Sequence, residues 1–378
     1  MTGRERIEAA LSPDGARDLG AVICYEGIYI RDRWDDLTGL PWWYRHAPDA
    51  ARQLEWRLRV VSRLRQDWVA LPSFSPRADV VLEERPGGVF LVNEVSGEER
   101  KLEHEIVGGW HEPYARSVGI NIGFPESREQ VDERIPLTSD FDPVAFSASG
   151  RGQFADAFMQ ALDGGLFPMG YAATPYSELY MQWGFEEVMV SIAERPAIVD
   201  YACERLMGVC LHRVREAAAL GAAGVWLEDC MSDMIGRRAF ERLNLPYLRR
   251  LVDEIRALGM KSVHYFCGNP AGKWDLLLST GADALSLEES KKGFEIDIEE
   301  IVDRVQGRCA VLGNLDAVGV LERGTDEALR AEIARQIRAG RRNGSRFIMS
   351  IGSPVTPGTP PERVRLYTDL AHDLGAPG

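Results

Sequence analysis

The sequence lacks the features that would mark a membrane, secreted or dinucleotide-binding protein. No apolar run is long enough to span a bilayer, and residues 1–8 (MTGRERIE) are charged where a signal peptide would be apolar. No Gly-x-Gly-x-x-Gly turn follows a predicted strand, so nothing indicates a dinucleotide site. We therefore expect a soluble, cytoplasmic protein with no membrane attachment.

Positive charge and cysteine are also scarce. The 44 Lys and Arg residues against 58 Asp and Glu residues give a net charge of -14, which repels a polyanion such as nucleic acid. The six cysteines lie far apart in the 378-residue chain, a spacing typical of reduced thiols in a cytosolic protein rather than of a disulfide framework. The partners that we expect are small molecules or proteins, and not nucleic acids.

Short apolar runs alternate with longer helical patterns along most of the chain. Strands are predicted at 67–71, 119–123, 166–170, 224–228, 262–266, 282–287, 309–313 and 346–350. Apolar strands joined by helices favour parallel pairing with both faces covered, and eight such units close a barrel. The prediction is one (β/α)8 TIM barrel over 1–378. Residues 1–66 form an N-terminal helical extension that contributes to the pocket, and 82–102 form an inserted β-hairpin around Pro86-Gly87-Gly88.

Polar residues collect where the predicted strands end, which is the rim that carries active sites in this fold. Glu228 and Asp229 end one strand, and His264 and Cys267 lie in and just after the next. Carboxylate, imidazole and thiolate are typical zinc ligands. We predict a metal site containing Glu228, His264 and Cys267, in which Asp229 orients the imidazole. Ordinary alternatives are a helix cap for Glu228 and a core position for His264.

Six further residues are candidates for substrate binding. Tyr25 and Trp34 belong to an aromatic N-terminal segment that either lines the barrel mouth or packs helices against the barrel. Tyr176 and Trp183 follow another predicted strand end, and Asn314 and Asp316 follow a third. The last two either orient substrate or only turn the chain.

Several short segments recur in an order that is typical of one known superfamily. They are Gly184-Phe-Glu-Glu187, Glu194-Arg-Pro196, 240–247, Cys267-Gly-Asn269, Gly281-Ala-Asp-Ala284, Gly313-Asn-Leu-Asp316 and 359–364. In these segments the chain resembles the uroporphyrinogen decarboxylase superfamily, and the match runs from residues 3–7 nearly to the C-terminus. That superfamily is a (β/α)8 barrel that includes the haem-pathway decarboxylase and corrinoid-dependent methyltransferases. The resemblance suggests a homodimer.

The resemblance extends most closely to the O-demethylating methyltransferase branch. Its zinc pattern is Glu, fourteen residues, Glu, twenty residues, His; Glu228 and His264 match the outer positions, while the middle position is Leu243. Cys267, Asp229, Glu241 and Glu288 are the candidates for the third ligand. This branch implies zinc-dependent methyl transfer from an O-methyl donor, such as a methoxylated aromatic, to the cobalt of a separate corrinoid protein.

Two other functions are consistent with the sequence. A metal-free decarboxylase or related lyase would need cations around its pocket, and Arg31 and Arg33 are the obvious N-terminal suppliers. A binding protein that has lost the metal site is the other alternative. Leu243 and Ser353 favour it, since each replaces a ligand in one of the family's zinc patterns.

Overall fold

The computed structural model describes residues 1–108, 123–290 and 293–377. Eight parallel strands form one curled sheet. These strands are β1 (Gly20–Ala21), β2 (Trp68–Ala70), β6 (Phe167–Ala173), β7 (Gly224–Asp229), β8 (Lys261–Phe266), β9 (Ala284–Leu287), β10 (Ala310–Leu312) and β11 (Phe347–Met349). Their order in the sheet is β1-β11-β10-β9-β8-β7-β6-β2, which confirms the (β/α)8 fold.

Helices cover the outside of the sheet, and the longest of them fall where apolar residues recur at helical spacing. They are α1 (Gly3–Leu11), α2 (Glu26–Asp32), α3 (Trp34–Thr38), α4 (Ala50–Leu64), α5 (Arg128–Arg134), α6 (Pro143–Ala148), α7 (Gln153–Ala161), α8 (Pro175–Trp183), α9 (Phe185–Glu194), α10 (Pro196–Ala219), α11 (Arg237–Leu243), α12 (Leu245–Ala257), α13 (Trp274–Leu278), α14 (Ile298–Val305), α15 (Asp326–Arg342) and α16 (Pro361–Gly375). A 3-10 helix at Trp42–His46 and a π-helix at Ala317–Glu322 complete the set. Among the described residues, no helix is both long and apolar enough to cross a membrane.

The interval predicted to hold a hairpin contains a small antiparallel sheet of three strands. These are β3 (Val80–Arg85), β4 (Gly88–Asn93) and β5 (Glu99–Lys101). Val80, Leu91 and Leu102 form its own apolar core, against which Trp42 and Trp43 pack. Part of the aromatic N-terminal segment therefore supports this sheet, and Trp42 packs against the main core as well.

The first barrel strand, β1, lies inside the segment that the sequence pattern assigned to an extension. It has two residues, too few to show an apolar run, and pairs with β11. Of the predicted strands, the one at 119–123 lies outside the described residues except for Gly123.

Asp67 joins the two ends of the strand order. Its backbone N–H donates to the Ala21 carbonyl at 2.9 Å, while its carboxylate accepts from the Ala21 N–H at 2.6 Å. The same carboxylate lies 2.7 Å from His372 Nε2 and 3.2 Å from Arg6 Nη1, and the residue is buried. A single side chain thus connects β1, the start of β2, α1 and α16.

We predict that Asp67→Ala lowers the free energy of unfolding by about 3 kcal/mol, since it removes the acceptor of the buried Ala21 N–H and of the partly buried His372 and Arg6 side chains. Urea denaturation measures this change. The control is Asp369→Ala, which removes an exposed ion pair with Arg65 and should cost less than about 1 kcal/mol. Equal losses in the two variants would contradict the role assigned to Asp67.

Candidate active site

The register between β7 and β8 decides which side chains enter the barrel. Glu228 pairs with Tyr265, and Leu227 pairs with His264. Since successive side chains of a strand point to opposite faces, Glu228 and His264 lie on opposite sides of the sheet. The structure therefore contradicts the prediction that these two residues share one metal site.

His264 belongs to a buried polar cluster between the sheet and the helices. Its Nε2 lies 3.2 Å from Asp229 Oδ2, and the Asn244 amide donates to both Asp229 oxygens at 2.8 and 2.9 Å. All three residues have no measurable exposure to solvent. Asp229 does contact the imidazole as predicted, but the pair ties the end of β7 to β8 and to the start of α12.

The interior of the barrel below the mouth is filled by four aromatic rings. Trp226 stacks on Tyr265 with ring centroids 4.9 Å apart, and Trp68 meets Trp226 edge to face at 5.8 Å. Tyr25 contacts both Trp226 and Tyr265, at 5.8 and 5.5 Å. The Tyr265 hydroxyl donates to the Gly352 carbonyl at 3.2 Å, which fixes that ring. Trp226 and Tyr265 lie nearly parallel, the other two rings meet them edge-on, and Trp68, Trp226 and Tyr265 are buried. We call these four rings the floor.

Above this floor lies a group that we call the rim cluster: Tyr171, Glu228, Cys230 and Cys267. The Tyr171 hydroxyl donates to Glu228, and the Tyr25 hydroxyl lies 3.8 Å from the Cys230 sulfur. Tyr171 is exposed, and the other three members are partly exposed. The cluster is thus accessible from the mouth, whereas the His264 cluster is not.

The electrostatic environment of the rim is acidic. Burial raises the pKa of the Glu228 carboxyl, although hydrogen bonds from Tyr171, Cys230 and Tyr25 oppose the rise. The adjacent Cys267 thiol, followed by burial, raises the pKa of Cys230. Burial, then Cys230 and Glu228, raises the pKa of Tyr25. Anionic charge is unfavourable at this site unless a cation accompanies it.

The predicted ligand set of Glu228, His264 and Cys267 does not come together. Within the described ranges, no three His, Cys, Asp or Glu side chains surround a point where a metal ion would bind. Among the other candidates, Glu241 lies on the surface, 3.2 Å from Arg237, and Glu288 is buried at the end of β9. The donors that do lie near one another are Glu228, Cys230 and Cys267.

Only one of the predicted substrate-binding aromatics reaches the barrel interior. Tyr25 joins the floor, whereas Trp34 packs on Trp56 at 5.4 Å and donates to the Leu40 carbonyl at 2.7 Å. Tyr176 is fully buried, with its hydroxyl 3.3 Å from the Met231 carbonyl. Trp183 packs on Phe124 at 5.2 Å. The last three are packing residues, because their helices direct them toward neighbouring helices and loops.

Asn314 and Asp316 organise the backbone at the rim instead of facing a ligand. The Asn314 amide donates to the carbonyls of Glu288 and Ile296 at 3.2 and 3.0 Å. Asp316 caps the π-helix by accepting from Val318 and Gly319 at 2.9 and 2.8 Å. The turn-forming alternative for these two residues is the one that the structure supports.

The sequence reasoning missed Tyr171, Cys230, Trp226 and Tyr265. Cys230 could have been found from the sequence, because it follows Glu228 by two residues and side chains two residues apart along a strand point to the same face. Trp226, two residues before Glu228, points to that face for the same reason. Tyr171 had no sequence signal, since its role depends on the pairing of β6 with β7, where it lies opposite Trp226.

Fold and site together define the class of the protein: a (β/α)8 barrel with a polar rim at the carboxyl ends of its strands, where enzymes of this fold have their active sites. The family model for uroporphyrinogen decarboxylase (URO-D) matches residues 156–374, which is more than half of the chain. The chain belongs to the uroporphyrinogen decarboxylase family.

Relatives in this family have two kinds of names. A uroporphyrinogen decarboxylase of Neisseria meningitidis is 25% identical over 57% of this chain and 61% of its own length. The methylcobamide:CoM methyltransferase MtbA of Methanosarcina mazei is 27% identical over 47% of this chain and 48% of its own length. The chain thus matches less than two thirds of either relative. A methyltransferase structure from Methanosarcina mazei, 13% identical, has a TM-score of 0.64 with 99% of both chains covered, and it supports the fold.

We predict that His264→Ala lowers the free energy of unfolding by about 2 to 3 kcal/mol, because the Asp229 carboxylate loses a buried partner. Urea denaturation measures the loss, and His104→Ala, at an exposed histidine, is the control. The reactivity of the Cys267 thiol toward a disulfide reagent should stay unchanged. If the His264→Ala protein kept full stability but showed altered Cys267 reactivity, the result would contradict the conclusion that the His264 cluster and the rim cluster are separate.

Proposed function

We propose that this protein transfers a methyl group from an O-methyl donor, such as a methoxylated aromatic, to the cobalt of a separate corrinoid protein. The observation that carries the proposal is the barrel mouth, where a buried aromatic floor lies beneath a carboxyl group and two thiols. A methoxylated ring can pack above this floor, and its ether oxygen can then face the rim cluster. The relative named as a methylcobamide methyltransferase adds support for the reaction class.

The same mouth is poorly suited to decarboxylation of a substrate with many carboxylates. Such a substrate needs guanidinium groups around it, yet acidic groups surround Tyr25 and Glu228. The two arginines that the N-terminal segment offers are engaged elsewhere. Arg31 pairs with Asp32 at 2.8 Å, and Arg33 donates to the Thr359 and Gly358 carbonyls at 3.2 and 3.3 Å. Methyl transfer from a neutral ether avoids this conflict.

Zinc is part of the proposal, with Glu228, Cys230 and Cys267 as its ligands. One carboxylate and two thiolates form a typical donor set for this ion, which would leave a fourth position for substrate. Binding requires these side chains to rotate, because they do not enclose a common point in the structure. When bound, zinc supplies a Lewis acid for the departing oxygen and the positive charge that the rim lacks. His264 is excluded from the set by its position on the other face of β8.

The reaction balances without any further reactant. The bond between the methyl carbon and the ether oxygen breaks, and its electron pair stays on the oxygen, which takes a proton from water. The methyl carbon forms a new bond to cobalt(I), which formally becomes cobalt(III). The aromatic floor supports the ring of the donor from below, and Tyr171 orients the Glu228 carboxyl by its hydrogen bond.

The test is methylation of free cob(I)alamin, followed by its visible spectrum, with methoxylated benzoates and phenols as donors. We expect turnover that is lost after chelation and restored by zinc, with about one zinc per chain. Cys267→Ser and Glu228→Gln should each lower metal affinity or activity by roughly tenfold or more. Glu241→Gln, at an exposed carboxylate outside the site, is the matched control and should behave as wild type.

Two results would contradict the proposal. One is release of carbon dioxide from uroporphyrinogen by the metal-free protein, without any methyl transfer. The other is wild-type zinc content and turnover in both the Cys267→Ser and the Glu228→Gln variants.

A further inference from the structure

A second cavity lies outside the barrel mouth, between α2, α4, α7 and the end of β2. Its volume is about 180 Å³, and most of its walls are apolar, including Ile30, Trp56, Val60, Leu71 and Phe158. No member of the rim cluster lines it. It is thus a separate pocket, and the reaction proposed above does not use it.

The guanidinium of Arg57 lies in the wall of this cavity. It stacks on the Trp56 ring at 4.0 Å and on the Phe154 ring at 5.3 Å. Its Nη1 donates to the Gln53 carbonyl at 2.9 Å and to the Gln53 side chain. Within the described part of the chain, Arg57 forms no ion pair, and its Nε and Nη2, which bond to no protein acceptor, are not sealed from solvent.

The acidic residue of the cavity does not neutralise this charge. The Glu26 carboxylate accepts from the Ala70 N–H at 3.0 Å and from the Gln66 amide, so its oxygens already have partners. Burial raises the pKa of Glu26, and burial lowers the pKa of Arg57. Desolvation is the main cause of both pKa shifts, and the attraction between the two charges opposes each of them, although the two groups do not form an ion pair. The guanidinium therefore presents unused donors to an apolar cavity.

An unpaired cation in an apolar pocket selects an anion with an apolar body. A guanidinium offers two parallel N–H donors that match a carboxylate, and a hydrogen bond between two charged groups is stronger than one between neutral groups. The volume is roughly six times the ~30 Å³ that one water molecule occupies, which suits a short acid and not a long fatty acid. We propose that this cavity is a binding site for a small apolar monocarboxylate, held by Arg57 at its carboxylate and by the apolar walls at its hydrocarbon.

The test is calorimetric titration of the full-length protein with hexanoate, beside hexanamide as its neutral counterpart. We expect saturable binding of hexanoate and at least roughly tenfold weaker binding of hexanamide. Arg57→Met should weaken hexanoate binding by a similar factor. Arg59→Met is the matched control, because Arg59 lies on the same helix but bonds to Thr38 and Glu55 outside the cavity.

A second variant tests the pocket without touching the charge. Gly27 lines the cavity in α2, and a Cβ atom added there meets no atom within 4 Å, so we expect Gly27→Leu to fold and its longer side chain to obstruct the cavity. Its hexanoate affinity should fall, while Glu228→Gln should bind as wild type because the barrel mouth is a different site.

Three outcomes would overturn the inference: no saturable binding of hexanoate, equal binding of hexanamide, or unchanged affinity in both the Arg57→Met and Gly27→Leu variants. Loss of binding in Glu228→Gln, with Arg57→Met unaffected, would place the acid in the barrel mouth and would also overturn it. Failure of the methyl transfer assay would leave this result unaffected, since the two sites share no residue.

Discussion

The alternation of side chains along β7 and β8 is the constraint on which the site depends. The two strands pair in a fixed parallel register, so every second residue enters the barrel and the others face the helices. One strand thereby contributes to two clusters with different roles. Trp226, Glu228 and Cys230 belong to the accessible rim and its floor, and Leu227 and Asp229 belong to the packed layer outside.

This division explains why a buried His–Asp pair occurs so close to the proposed active site. Both faces of a parallel sheet are covered, so the outer side of these strands must pack against helices. In the cluster of Asp229, His264 and Asn244, both Asp229 oxygens have partners at distances of 2.8 to 3.2 Å, while His264 Nδ1 and Asn244 Oδ1 are buried without a hydrogen-bond partner. It fixes the end of β7 relative to α12, and so it supports the positions of Glu228 and Cys230 from behind. Reactive groups and their support are thus separated by the thickness of one sheet.

Much of the fold could be predicted from the sequence, because apolar strands and amphipathic helices recur in order. The two-residue strand β1 could not, since its place depends on pairing with β11 and on Asp67 from β2. At the site, Glu228 was recognisable from its position at a strand end, and Tyr25 from its place in the aromatic N-terminal segment. The prediction for His264 was wrong because it assigned the residues near two strand ends to one rim without using the register of the strands. His264 and Cys267 are three residues apart, and this separation places their side chains on different faces of the strand. Trp34, Tyr176 and Trp183 are aromatic for packing, and no sequence pattern distinguishes that from a pocket lining.

The most direct test of this account is X-ray absorption spectroscopy at the zinc edge of the zinc-loaded protein. The account predicts sulfur neighbours at about 2.3 Å with an oxygen neighbour, and no imidazole scattering. A clear imidazole contribution would contradict this prediction. It would mean that His264 or another histidine binds zinc at the rim, although the strand register places His264 on the other face of the sheet.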